Sequence, residues 1–344
     1  MSRSPRESFR THANYLRAFA YLASRGNADR SGAFRSLRRR VEASGSLPDG
    51  RRADADIATV HNILRNAWGT ELLLALGESV IEEDELVRLS NNWSVVQTYY
   101  VAYHATQALA VAKGFVRPDS HPKTQRQFTD FWAARPIEIA PWTLAATSGG
   151  FANIPASIQI DDGIHAWTAC THLTSWSLCC KALRTTRQDE VDAAFKRKRE
   201  AKRRARRNAW RQEEDDRLRA GRRPRKEPTF RLPRLTPSEK ANVESSVRPY
   251  TLIDYLYRLR IRTNYEDATM FTDGPEDDRS SVSVRSDLCL IASTTLFLHE
   301  LYIAVLVGQE RFRQWVDEWV NDNVPALVGG GLVERFDLLC DFCS

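Results

Sequence analysis

The chain lacks the compact motifs that fix a chemistry by spacing alone. It has no serine nucleophile elbow, no Walker signature and no zinc-finger spacing. The glycine run at 329–331 lacks the strand-before, helix-after context of a phosphate loop. No apolar h-region follows the start: "MSRSPRESFRTHANYL" is charged, so no signal peptide is expected. No internal repeat and no alternating strand run is evident. Cysteine is scarce, six in 344 residues, so a disulfide staple is not expected in a chain large enough to build its own core. Adjacent Cys179 and Cys180 are poorly placed to bridge each other, and Cys340-x-x-Cys343 has no second pair to complete a zinc site. Reduced thiols in a cytoplasmic protein are the expectation. The most apolar window, residues 288–308, contains Ser293, Thr294, Thr295, His299 and Glu300, which fits a buried core helix better than a membrane span. No membrane partner and no cofactor are expected.

What the chain does have is helical periodicity. Apolar residues recur at near-helical spacing over 9–23, and a basic-apolar helix follows over about 32–43, ending at a Gly/Pro/Asp turn. Residues 54–89 read as two helices broken near Gly69 and Gly77. Asn91–Asn92 offers an N-cap for a long helix that stops at Gly114. Residues 136–160 read as an irregular connection. A Trp- and Cys-rich helix is expected to start near Asp161–Asp162, which would cap it, and to run on toward a basic insert. The pair could also touch a metal together with His165, a less economical reading. Helices follow at about 238–247, 250–273, 283–307 and 310–322. The fold class is all-α, a helical bundle. Its expected segments are an N-terminal extension (1–90), a first bundle part (91–185), a basic insert (186–240), a second bundle part (241–322) and a tail (323–344).

Charge is unevenly spread. Residues 184–234 hold 20 Lys/Arg against 9 Asp/Glu, about +11, which leaves about −5 for the rest of a chain whose net charge is +6. A basic segment of this size attracts polyanions, nucleic acid foremost. Lys196, Arg197, Lys198, Arg199, Lys202, Arg203, Arg204, Arg206, Arg207 and Arg211 are the candidate contacts. Basic residues fall on every helical face, so this helix either projects into solvent or lies along a polyanion. Phe195 and Trp210 are candidates to stack on bases. The acidic run 213–216 is a candidate to fold back on the basic one. A solvated linker helix is the alternative.

A second polar stretch is "LYRLRIRTNYED", residues 256–267. Arg258, Arg260, Arg262, Asn264, Tyr265, Glu266 and Asp267 crowd one helical segment. Two readings stay open: an ion-pair ladder with Arg262–Glu266 as an i,i+4 pair, or a polar site. On the earlier long helix, Tyr100 and His104 are four apart and share a face. If that face meets Arg262, a composite site forms. His104 also fits a hydrogen-bonded core histidine.

The stretches 91–114, "NNWSVVQTYYVAYHATQALAVAKG", and 256–274, "LYRLRIRTNYEDATMFTDG", resemble the HEPN superfamily (higher eukaryotes and prokaryotes nucleotide-binding). The first resembles its long early helix, with a mid-helix His before an Ala-rich run. The second resembles its late helix, with Arg at the head and a "DY"-type pair at Asn264–Tyr265. The resemblance spans about half the chain and implies RNA as ligand. It further implies a bacterial defence or toxin–antitoxin setting and a homodimer or a subunit of a larger complex. Many members are metal-independent ribonucleases with an Arg-x4–6-His motif. Here no His follows Arg258, Arg260 or Arg262 in that gap, and His299 lies far outside it. RNase chemistry would therefore need Arg260 and Arg262 as cations, His104 as the base and Tyr265 to orient or donate. A third class is a non-catalytic adaptor docking through Phe312, Trp315, Val316 and Trp319.

Overall fold

The computed structural model describes all residues except 1–3, 28, 53, 82, 162, 164–168, 324–329 and 343–344. In chain order its helices are α1 (Pro5–Ser24), α2 (Arg30–Ala43), α3 (Ile57–Val80), α4 (Asp84–Ala112), α5 (His121–Trp132), α6 (His172–Arg219), α7 (Pro237–Ser246), α8 (Leu252–Ile261), α9 (Asp278–Val307), α10 (Gln309–Asn323) and α11 (Gly330–Phe342). The architecture is an all-α bundle.

α9 is the axis. Asp277 caps it by accepting from Ser280 N at 2.8 Å. α1, α2, α3, α4 and α10 pack around it. Its most apolar window is 89% buried inside the molecule, as expected for a core helix. Two of the polar residues it carries into the core, His299 and Glu300, find partners there. His299 Nδ1 donates to Thr295 O at 2.7 Å, and its Nε2 accepts from Trp132 Nε1 at 3.2 Å. Burial holds its pKa down to about 4, so it is a neutral structural histidine. Glu300 accepts from Trp68 Nε1 at 2.6 Å and shares the buried Arg335 of α11 with Glu71 of α3. One cation between two carboxylates leaves the cluster short of positive charge, and burial pushes Glu300 up to about 7.

One hydrophobic core joins residues from all along the chain, including Phe19, Phe34, Trp68, Tyr99, Phe128, Trp176, Leu256, Phe297 and Trp315. Phe312, Trp315, Val316 and Trp319 are buried in it, with Trp315 stacked on His61 and Trp319 against Trp68. The aromatic face of α10 is thus used internally and is not free for docking.

Several boundaries differ from expectation. α3 runs unbroken through Gly69 and Gly77, because a helix interior tolerates glycine at about 1 kcal/mol and core packing outweighs that. α4 starts at Asp84, seven residues before Asn91. Asn91 and Asn92 instead bridge outward, donating to Ser281 O and Ala268 O at 3.0 Å each. α6 starts at His172 with Thr171 as its cap, not at Asp161, which accepts from Gly163 N. Asp162 and His165 of the candidate metal group lie outside the described residues, as does Cys343 of the Cys-x-x-Cys pair. A small hairpin, β1 (Ala145–Thr147) with β2 (Gly150–Ala152), replaces part of the irregular connection, and Ala146 bridges to Tyr250. A helix, α11, begins within the glycine run, at Gly330.

Candidate nucleic-acid interface

α6 is 48 residues long, about 72 Å at 1.5 Å per residue. Its first five turns bury Trp176, Leu178, Cys179, Cys180, Leu183 and Val191 against the body. Beyond Val191 only Glu214 is buried, so roughly 42 Å of helix stands away from the core as an arm. The chain after Gly221 returns along it. Arg217 donates to Arg223 O at 2.9 Å, and Arg225 donates to buried Glu214 through N at 2.5 Å and Nε at 2.6 Å. Arg207 pairs with Glu227 at 2.7 Å, Arg199 donates to Pro233 O at 3.3 Å, and Lys202 pairs with Glu239 at 2.5 Å. Pro224, Pro228 and Pro233 keep this return extended, since proline cannot sit inside a helix.

These braces correct two expectations. The acidic run 213–216 does not fold onto the basic run: Glu213 and Glu214 hold Arg225 across the turn, and Asp216 holds Arg219. Trp210 is not a free platform, because it packs edge-on against Phe230 and lies under Arg225. Phe195 is half-buried. Of the ten candidate cations, Arg197 is paired with Glu190 at 2.5 Å, and Arg199, Lys202 and Arg207 are engaged as described. Lys196, Lys198, Arg203, Arg204, Arg206 and Arg211 are exposed, and no carboxylate pairs with them among the described residues.

The arginines of 256–267 send their side chains to different partners. α8 ends in a π turn over Arg262–Glu266, closed by Asp267 N donating to Arg262 O at 2.8 Å. The wider turn displaces Glu266, so the expected Arg262–Glu266 pair does not form. Glu266 instead accepts from Arg258 at 2.6 Å, and Arg258 also reaches Asp189 of α6 at 3.3 Å. Arg262 donates to His12 Nε2 on α1 at 2.7 Å, and His12 Nδ1 donates in turn to the buried Tyr255 hydroxyl at 3.2 Å. Asn264 and Tyr265 point outward, with Tyr265 75% exposed. Tyr265 is therefore not brought to the arginines as a proton donor.

It is Arg260, not Arg262, that meets the Tyr100–His104 face. Its guanidinium carbon lies 5.1 Å from the Tyr100 ring centre, 5.5 Å from Tyr99 and 5.8 Å from Tyr257. His104 stacks on Tyr100 with centroids 5.9 Å apart. His104 Nδ1 and Arg260 Nε are both buried without a hydrogen-bond partner. Burial first, then the charge of Arg117, pushes His104 down to about 4. The periodicity "TYYVAYH" shows this aromatic face, but two members of the cluster carry no local signal. His121, at the first turn of α5, bonds Tyr99 Oη through Nδ1 at 2.7 Å, and burial and Arg260 lower its pKa. Arg117 comes from a loop and donates to Gln107 Oε1 at 3.2 and 3.3 Å. Two guanidiniums with no carboxylate partner among the described residues, beside two neutral imidazoles, favour an oxyanion. They offer a weak base at best, because basicity falls with the His104 pKa.

A groove of about 650 Å³ lies between α5, α6 and α8. Tyr257 of the Arg260 cluster lines it at one side, and Arg197, near the start of the arm, at another. Its arginines are mostly matched: Arg248 with buried Asp254, Arg258 with Asp189, Arg197 with Glu190. Exposed Arg126 is the remainder. Among the described residues, no three His, Cys, Asp or Glu side chains converge to hold a metal ion.

Neither protein-family models, nor curated proteins, nor solved structures give a match to this chain.

Proposed function

We propose that this protein binds RNA through phosphate contacts made by its arm. The carrying observation is the set of six exposed cations on a helix that Lys202, Arg207 and Glu214 brace. Ions fixed on a rigid scaffold lose little conformational freedom on binding, so the counterions released from the polyanion dominate the free energy. The likeness of 91–114 and 256–274 to HEPN helices is what suggests RNA as the polyanion and a bacterial defence or toxin–antitoxin role. Titration of labelled RNA with the full chain tests the reading. Affinity is expected to fall steeply, by a power law in salt, between about 50 and about 200 mM. Salt-independent binding, or none, would sink it.

A second reading, metal-independent RNA cleavage, is favoured only by the Arg260–His104 cluster with its two unsatisfied nitrogens. Cuts made in EDTA that leave a 2′,3′-cyclic phosphate, and that are lost in His104→Ala, are its expected signature.

A further inference from the structure

Resting on the arm as the binding element, we infer that its ligand is double-helical, and that it grips the phosphate ridges of RNA and DNA duplexes alike. Proteins that hold single strands without sequence preference combine cations with aromatic faces on which bases stack. The arm has the cations without the faces. Its aromatic residues are Phe195, Trp210 and Phe230, and none is exposed. Trp210 and Phe230 close on each other with centroids 6.4 Å apart, and Arg225 covers the Trp210 ring at 6.0 Å. The exposed aromatics Trp93, Phe115 and Tyr265 stand on other elements.

Stiffness points the same way. The return chain fastens the helix at Arg199, Lys202, Arg207, Trp210 and Glu214, along most of its length. Lys196 and Arg203, and beside them Arg204 and Arg211, follow one another at seven-residue steps, a nearly straight double line with about 10 Å between members. A flexible strand would have to be straightened to follow that line. A duplex is already straight, and it carries one charge per about 1.7 Å of axis with both strands counted. It also releases more counterions per contact, a salt slope of about 0.9 per phosphate against about 0.7 for single strands. The groove of B-form DNA, about 12 Å wide, admits a bare helix. A helix carrying its own return chain is wider, so the arm stays on the ridges, reads no bases and does not discriminate by sequence.

The test measures polarisation of the full chain with labelled RNA duplex, DNA duplex and oligo-uridine of equal phosphate count. Both duplexes are expected to bind at least about tenfold tighter than oligo-uridine at equal salt. A combined Arg203→Glu, Arg204→Glu, Arg211→Glu variant with unchanged helical circular dichroism is expected to lose that duplex binding and to flatten the salt slope by about 3. Equal or tighter binding of oligo-uridine overturns the duplex assignment while leaving RNA binding standing, and its loss in Trp93→Ala or Tyr265→Ala would locate the stacking surface on the body. Tight binding of RNA duplex alone overturns the ridge-only contact. Binding of no probe by the wild type overturns the proposed function itself.

Discussion

Two stretches of this protein are equally rich in arginine and behave in opposite ways. In 256–262 each arginine has a destination: Arg258 in two carboxylates, Arg260 among three tyrosine rings, Arg262 on a histidine. In 196–211 the arginines that brace the arm alternate with others that face only solvent. The difference lies in the neighbours. α8 is covered by α4, α5 and α6, so a charge there must be matched or desolvated at a cost. The arm is covered on one side only, so unmatched charge costs little there. Arginine density alone marks neither a site nor a structural network; coverage decides.

The contrast breaks most clearly at the two extremes of burial. Arg335 lies fully inside, between Glu71 and Glu300. Arg335→Met strands two carboxylates and is expected to cost about 3–5 kcal/mol in denaturant unfolding. The triple arm variant reverses three free charges. It is expected to leave unfolding within about 0.5 kcal/mol of wild type while weakening duplex binding about 100-fold at low salt. If the arm variant unfolds easily instead, its arginines are structural and the contrast fails.

A pH titration sharpens the buried end. Glu300 takes up its proton more readily in the folded state, near pH 7, than the ordinary carboxyl near 4.5. The folded protein therefore binds more protons between those values, and stability from this group is present at low pH and is lost as pH rises through about 7. Glu300→Gln keeps the shape and removes the titration. The variant's stability relative to wild type is expected to rise by about 1–3 kcal/mol from pH 5 to pH 8, read by denaturant melts at each pH. A flat difference would mean that Arg335 holds the Glu300 carboxylate ionised.

The helices were legible because core burial imposes a 3.6-residue period, and α1, α9 and α10 fall close to where that period puts them. Glycines misled in α3, since a weak local penalty yields to packing on α4 and α9. The polar cluster was half legible. Tyr100 and His104 announce a shared face, but which arginine meets it depends on how α8 docks against α4, and no local residue pattern signals that docking. His121 and Arg117 arrive by tertiary contact alone. The arm's basic run was plain in the composition. Its bracing was not, because Glu227, Phe230 and Glu239 meet the helix across the turn at 220–221.

The smallest effects rank the arginines of α8 and its π turn. Arg262→Ala removes the donor that fixes the His12 tautomer over buried Tyr255, so two groups in the α1–α8 contact lose their order. It is expected to cost about 1–2 kcal/mol. Arg260→Ala gives up its hold on three tyrosine rings but strands no opposite charge, and is expected to cost about 1 kcal/mol. Arg258→Ala breaks two partly exposed ion pairs, each screened by solvent, and is expected to cost about 0.5 kcal/mol. Urea unfolding of the three variants reads this order directly. If Arg260→Ala leaves stability unchanged yet weakens binding of an oxyanion-bearing ligand, the tyrosine cage holds Arg260 ready for that ligand rather than for the fold. The stretch 256–262 would then join the arm as a place where arginine serves a ligand.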